Sequence, residues 1–481
     1  MRYSIVITCM ATAVQASNFW RLPCKSRTAA ARMDPIMAPG EPNSHLHTIF
    51  GSGGLSLSSQ TTFTPSPTLT SDLTGFSSNV TQDDLLHSDC TSCAVTQDRS
   101  AYWTPPLMFL YPNGSSTMVN QDGGMLAYYF VYGNNPQPFP QGFRMVAGDQ
   151  YLRNFTGPVP DLPTSEWTAN DKTQFSLAQK ALGFNCLHYD RGSDEDSLYR
   201  HTLPDKQFLD ENCSDGLRLE LMFPSCWNGV DVDTPNHKSH MAYPDLVKDG
   251  KCPEGFGTRL VTLFFETKYD TQNFKGVDGQ FVLATGDPTG CGYHGDFIQG
   301  WESDFLRQAM DECSNPSGEV ADCQLFTLQS DQDASACQAP VPKELGHENP
   351  FFNGHGLLGD VPIQEGPERA APYGAQSSML MDHLPVSLPV PVPVPSIGVV
   401  GEVARVVDNL VPTATPTHSH SLSPSPSPRR VESVAKKCST DKVTVYETAI
   451  VHVPMATHSP ASASTPTLRK HGHRHRDHDH I

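Results

Sequence analysis

Leu217-Arg218-Leu219-Glu220-Leu221-Met222 and Arg259-Leu260-Val261-Thr262-Leu263-Phe264-Phe265-Glu266 decide the fold. The first alternates apolar and polar side chains, the pattern of a strand with one wet face. The second is almost continuously apolar, as in a strand covered on both sides. Residues 126–132, 142–147 and 280–285 are likewise short and rich in aromatic or β-branched side chains. Gly, Pro, Asn or Asp bounds them. Helical patterns are few. Residues 302–313 place Phe305, Leu306, Ala309, Met310 and Cys313 on one stripe behind an acidic first turn. Residues 171–182 form a second, less regular one. No β-α-β alternation appears. The pattern predicts a β-rich (α+β) chain: an antiparallel β-sandwich or jelly-roll-like core with long disulfide-tied loops and few helices.

Composition divides the 481 residues. Arg2, the apolar run Ile5 to Met10 and Val14-Gln15-Ala16 are expected to be a signal peptide, residues 1–16. Residues 17–339 have a globular composition. Residues 340–481 read as a disordered Pro/Ser-rich tail with a His-rich end, His471 to His480. Thirteen cysteines accompany the leader-like start, so a disulfide framework is expected, with Cys90 and Cys93 in it rather than on a metal. Eleven of the thirteen fall between Cys24 and Cys337. One of these must therefore pair with Cys438 of the tail, stay free, or join another chain. Sequons at Asn79, Asn113, Asn154 and Asn212 also fit a secreted glycoprotein. No other stretch is long and apolar enough for a membrane span. The net charge of −19, almost all of it before residue 343, argues against nucleic acid and anionic membranes as partners.

The chemistry-bearing pattern is paired histidines in polar loops. They are Ser44-His45-Leu46-His47-Thr48, Asn236-His237-Lys238-Ser239-His240-Met241 and Gly292-Tyr293-His294-Gly295-Asp296. Imidazole is a common metal ligand and acid/base near neutral pH. On a strand His45 and His47 share a face, and on a helical turn so do His237 and His240. His45, His47, His237, His240 and His294 are therefore the candidate ligands of a divalent metal. Asp34, Asp233, Asp287 and Asp296 are the candidate catalytic carboxylates or ligand-orienting groups. Glu266 joins them if a carboxylate pair works alone. The competing reading is that these side chains only tie backbone groups in long loops. Ser44, Ser225 and Ser239 lack a G-x-S-x-G elbow, which disfavours a serine hydrolase. No organic cofactor motif is present.

Several segments together carry a resemblance. They include Arg32-Met33-Asp34-Pro35-Ile36, Asp98-Arg99-Ser100-Ala101-Tyr102-Trp103, Phe139-Pro140-Gln141-Gly142-Phe143-Arg144, Phe223-Pro224-Ser225-Cys226-Trp227-Asn228-Gly229 and Asp233-Thr234-Pro235-Asn236-His237. With the histidine loops they resemble, over residues 19 to 315, a secreted fungal domain-of-unknown-function family (DUF1996-type), often found with WSC carbohydrate-binding modules. The resemblance implies a secreted fungal protein and supplies no reaction. The tail lacks a Cys-rich module, so wall binding through WSC is not expected. The functional expectation is a protein acting on cell-wall or extracellular polysaccharide through the His/Asp loops. The alternative is a non-catalytic glycan-binding glycoprotein that uses aromatics such as Tyr102, Trp103, Trp227, Tyr243 and Trp301.

Overall fold

A computed structural model describes residues 19–54, 79–192, 195–313, 315 and 317–373. The leader, the Pro-Val and Ser-Pro runs, Cys438 and the His-rich end lie outside them. Two five-stranded sheets dominate. The first runs in the order Phe19–Cys24, Gln121–Phe130, Thr262–Tyr269, Gly216–Met222, Leu182–Leu187. The second runs Ala29–Ala31, His47–Gly51, Ala101–Thr104, His294–Ile298, Arg144–Gly148. Every pairing within them is antiparallel. The expected β-rich class therefore holds, with the nearly all-apolar run at the centre of the first sheet.

The sheets face each other across an aromatic core. Tyr102 of the second sheet meets Phe265 of the first edge-on, with centroids 5.5 Å apart, and Phe297 lies against Phe223 at 6.5 Å. Gly295 marks the closest approach. A Cβ there would come 2.5 Å from Leu221 Cδ2 and 3.3 Å from Phe223 and Phe265, so a larger residue would force Leu221 to move. Strand alternation then turns His294 and Asp296 to the opposite, outer face. Several side chains on that face pack with Met33 and Ile36 of the following loop, among them Ile49, Trp103, Val146 and Ile298. The candidate site is built into this layer.

Two expectations need correction. The alternation from Leu217 to Met222 predicts a wet face, yet in the strand Gly216–Met222 only Arg218 is partly exposed. The outer face is covered, and Glu220 is held there by Arg218 Nε, Asn185 Nδ2 and the Leu198 amide. The globular boundary at 339 is also too early. Beyond it Leu345, Leu357 and Val361 are buried, and Phe352–Asn353 pairs with Ser116–Met118. Arg32 grips Glu348, and Arg369 grips Asp149. Packing thus reaches residue 373, through a stretch whose Pro and Gly content hides its apolar anchors.

Helix expectations hold with shorter limits. Ser303–Glu312 buries Leu306, Ala309 and Met310. Gln174–Lys180 starts at Thr173, whose hydroxyl caps the Ser176 amide. The disulfides are Cys24–Cys93, Cys90–Cys337, Cys186–Cys213, Cys226–Cys252 and Cys313–Cys323. Cys90 and Cys93 are thus framework cysteines. The odd thiol is Cys291, buried. No helix among the described residues is long and apolar enough to cross a membrane.

Candidate metal centre

Three elements supply the site. His45 and His47 lie at the entry to the His47–Gly51 strand, two residues apart and turned to one side. His294 and Asp296 do the same two strands away. The loop after Ala31 carries Asp34 over them. All five side chains are buried. His45 Nε2 lies 3.3 Å from His294 Nε2, and His47 Nε2 lies 3.4 Å from it. Ligand atoms of His45, His47 and His294 fall within 4.8 Å of one another, as do those of Asp34, His47 and Asp296.

The other ring nitrogens fix the tautomers. His47 Nδ1 faces the Met33 carbonyl at 3.1 Å and His294 Nδ1 the Gly292 carbonyl at 3.2 Å. A ring nitrogen facing a carbonyl carries the proton, so each Nε2 is a bare lone pair. His45 Nδ1 meets Ser44 Oγ at 3.2 Å, whose hydroxyl donates to Asn43 Oδ1, which gives the same outcome. Three acceptors therefore converge at separations where acceptors repel. A cation between them removes the conflict. Two nitrogens each ~2.05 Å from a tetrahedral ion lie about 3.3 Å apart, which is the spacing found.

Electrostatics point the same way. Burial and then the neighbouring imidazoles push His45 well below its ordinary pKa. Burial and then His294 push His47 down to about 3. Burial chiefly lowers His294 to about 4, helped by the charges of Lys238 and Arg153 and opposed by its bond to the Gly292 carbonyl and by Asp149. The three rings are neutral at physiological pH, the state that binds metals.

The carboxylates differ. Asp34 accepts from the amides of Ile36 and Met37 and from Asn43 Nδ2. Burial still raises it to about 6, with those amides opposing. Both oxygens of Asp296 lack a hydrogen-bond partner. Burial and then the charge of Asp34 push Asp296 well up, with Lys238 opposing. The oxygens of Asp296 are thus unsatisfied whereas Asp34 is anchored by its donors, and both carboxylates meet the imidazole set through His47. A cavity of about 30 Å³ opens between Asp34, His45, His294, Asp296, Lys238 and Gln150, room for one ion or water.

Other sequence candidates fall elsewhere. His237 sits at φ +55° with Nδ1 2.7 Å from Asp233 Oδ1, and neither joins the convergent set. His240 spends Nε2 on the Arg144 carbonyl at 2.9 Å and Nδ1 on Thr234 Oγ1. Asp287 accepts from the amides of Thr289 and Gly292 and pairs with Arg153 at 3.5 Å, so it shapes the turn leading to His294. Glu266 accepts from Tyr128 Oη and neighbours Arg218 on the other sheet. Tyr102, Trp103 and Trp301 are fully buried, which removes them as sugar platforms. Sequence reasoning missed Asn43, which ties Asp34 to the His45 turn. Its position in Pro42-Asn43-Ser44, a turn-forming run beside the ligands, was the available signal.

One family description, a domain of unknown function (DUF1996), matches residues 34–301, more than half of the chain. The chain belongs to the DUF1996 family. The match begins at Asp34 and contains every side chain of the centre. Neither a curated protein nor a solved structure matches the chain.

Proposed function

We propose that this DUF1996 chain is a secreted protein whose divalent-metal centre, formed by His45, His47, His294 and Asp296, acts on cell-wall or extracellular polysaccharide. The observation that carries the metal assignment is the approach of His294 Nε2 to His45 Nε2 at 3.3 Å and to His47 Nε2 at 3.4 Å, beside an unpartnered buried carboxylate. Three imidazoles and one carboxylate suit a first-row transition metal better than Ca²⁺ or Mg²⁺, which favour all-oxygen shells. Such an ion would act as a Lewis acid on a sugar oxygen or water. The five disulfides and the leader-like start support export, and with export a glycan partner. Glycoside hydrolysis by a carboxylate pair alone is less supported. Asp34 is already saturated by donors, and Glu266, Asp233 and Asp287 each have other partners.

The closed cavity favours a second reading, in which the ion is structural and the protein is a non-catalytic glycan binder. Structural metal sites are closed, whereas catalytic ones keep a position open. One experiment decides. Protein lacking its His-rich end is stripped with chelator, reloaded with Zn²⁺, Mn²⁺, Fe²⁺ or Cu²⁺, and assayed for release of reducing ends from a panel of wall polysaccharides. Metal-dependent release supports the catalytic reading. Stoichiometric metal that raises the melting temperature without any release supports the structural one. Less than a tenth of an equivalent of any metal overturns the centre itself.

A further inference from the structure

Away from the metal centre, a groove of about 650 Å³ runs between the edge strand Ala29–Ala31 and residues 338–351. That volume lies within the roughly 300–1,000 Å³ of small-ligand sites. Its charges are unevenly satisfied. Arg32 and Glu348 neutralise each other at 2.6 Å. Lys25 reaches Asp331 at 3.6 Å. Arg27 has no carboxylate within ion-pair distance among the described residues. Its guanidinium touches only a long contact to Gln121 Oε1 at 3.4 Å and the face of Phe351, 4.8 Å from the ring centroid. Phe351 is itself 47 % exposed.

Arg99 and Arg307 also lack a carboxylate partner but donate to backbone carbonyls, whereas the half-buried Arg27 has only the Gln121 contact and faces the groove. We propose that this groove binds a uronic-acid-bearing oligosaccharide, with Arg27 gripping the sugar carboxylate and Phe351 packing beside the ring. One planar fork matches one carboxylate bidentately, whereas a phosphate dianion calls for more positive charge than the groove has to spare. Asn120 and Gln338 also line the groove, each amide nitrogen with one protein partner and a second N–H to give, and the Ala29–Ala31 strand offers an apolar floor. This rests on the polysaccharide reading above and is independent of the metal centre, whose ligands line a separate cavity.

The test is calorimetric titration of the full chain with oligogalacturonate of four residues and with a neutral β-glucan tetrasaccharide. The expected result is saturable binding of the uronate only, weakening with salt. Arg27→Gln should weaken it at least tenfold, and Arg27→Lys by less. Lys268→Gln, which removes a cation outside the groove, should bind as the parent does. An unchanged affinity in Arg27→Gln with the same melting temperature overturns the proposal. Equal or exclusive binding of the neutral glucan overturns it too, while leaving the polysaccharide reading standing. Binding of neither sugar overturns both.

Discussion

Replacing His294 by Ala tests the centre, since its Nε2 lies within 3.4 Å of the Nε2 atoms of both other rings. Structural zinc sites with four ligands bind with about 10–16 kcal/mol, which is ~2.5–4 kcal/mol per ligand if shared evenly. One lost ligand should therefore weaken Zn²⁺ by about 60- to 700-fold, at about 1.4 kcal/mol per factor of ten. Competition against a chromophoric chelator measures this. Co²⁺ supplies a second readout, because intense visible bands of a tetrahedral ion should collapse in the variant. The control is His240→Gln. Its ring bonds to the Arg144 carbonyl and Thr234, so this variant should keep metal affinity within about threefold and lose only on the order of 1 kcal/mol of stability. His294→Ala with one equivalent of metal and a Kd within threefold of the parent would refute the reasoning. So would equal losses in both variants.

If the unpartnered Asp296 carboxylate completes the proposed shell, Asp296→Asn should cut metal affinity at least tenfold, read by the same competition, because the amide brings no negative charge. In metal-free protein, His47 and His294 titrate near 3 and 4 when folded and near 6.5 when unfolded. The unfolded chain then binds more protons between those values, so stability should fall as pH drops below about 6.5, by on the order of 3 kcal/mol from each ring. Chemical denaturation from pH 7 to 4 measures it, and a flat profile refutes it. Glu220 has the opposite sign: burial raises it to about 7, so its ionisation costs stability as pH rises from about 4.5 to 7. Glu220→Gln should remove that component of the pH profile. Truncation after Ala339 deletes the buried Leu345, Leu357 and Val361, worth about 1.5–3 kcal/mol each, and should lower the melting temperature by at least about 5 °C. An unchanged melting curve would restore the boundary at 339.

Local pattern carried the strands, because alternation and apolar runs are properties of six to eight consecutive residues. It also carried half of the centre. His45 and His47 share a face by spacing alone, and so do His294 and Asp296. What spacing could not supply is which distant pair meets which. The same motif type at His237 and His240 pointed equally well to a metal. The structure separates them only because Asp233, Thr234 and the Arg144 carbonyl already occupy those rings. The carboxylates sort by the same criterion. Asp287 and Asp34 are filled by backbone donors in their own turns, whereas Asp296, on a strand in the middle of the outer face, has none. A ligand differs from a loop tie by what is left unsatisfied, and that depends on donors brought from far along the chain. The stretch 340–373 misled for a related reason. Its Pro and Gly content reads as a linker, but three aliphatic anchors and the Cys90–Cys337 bridge hold it where no local period announces it. Arg27 escaped notice because an unpaired cation becomes visible only once every nearby carboxylate has been assigned to another partner.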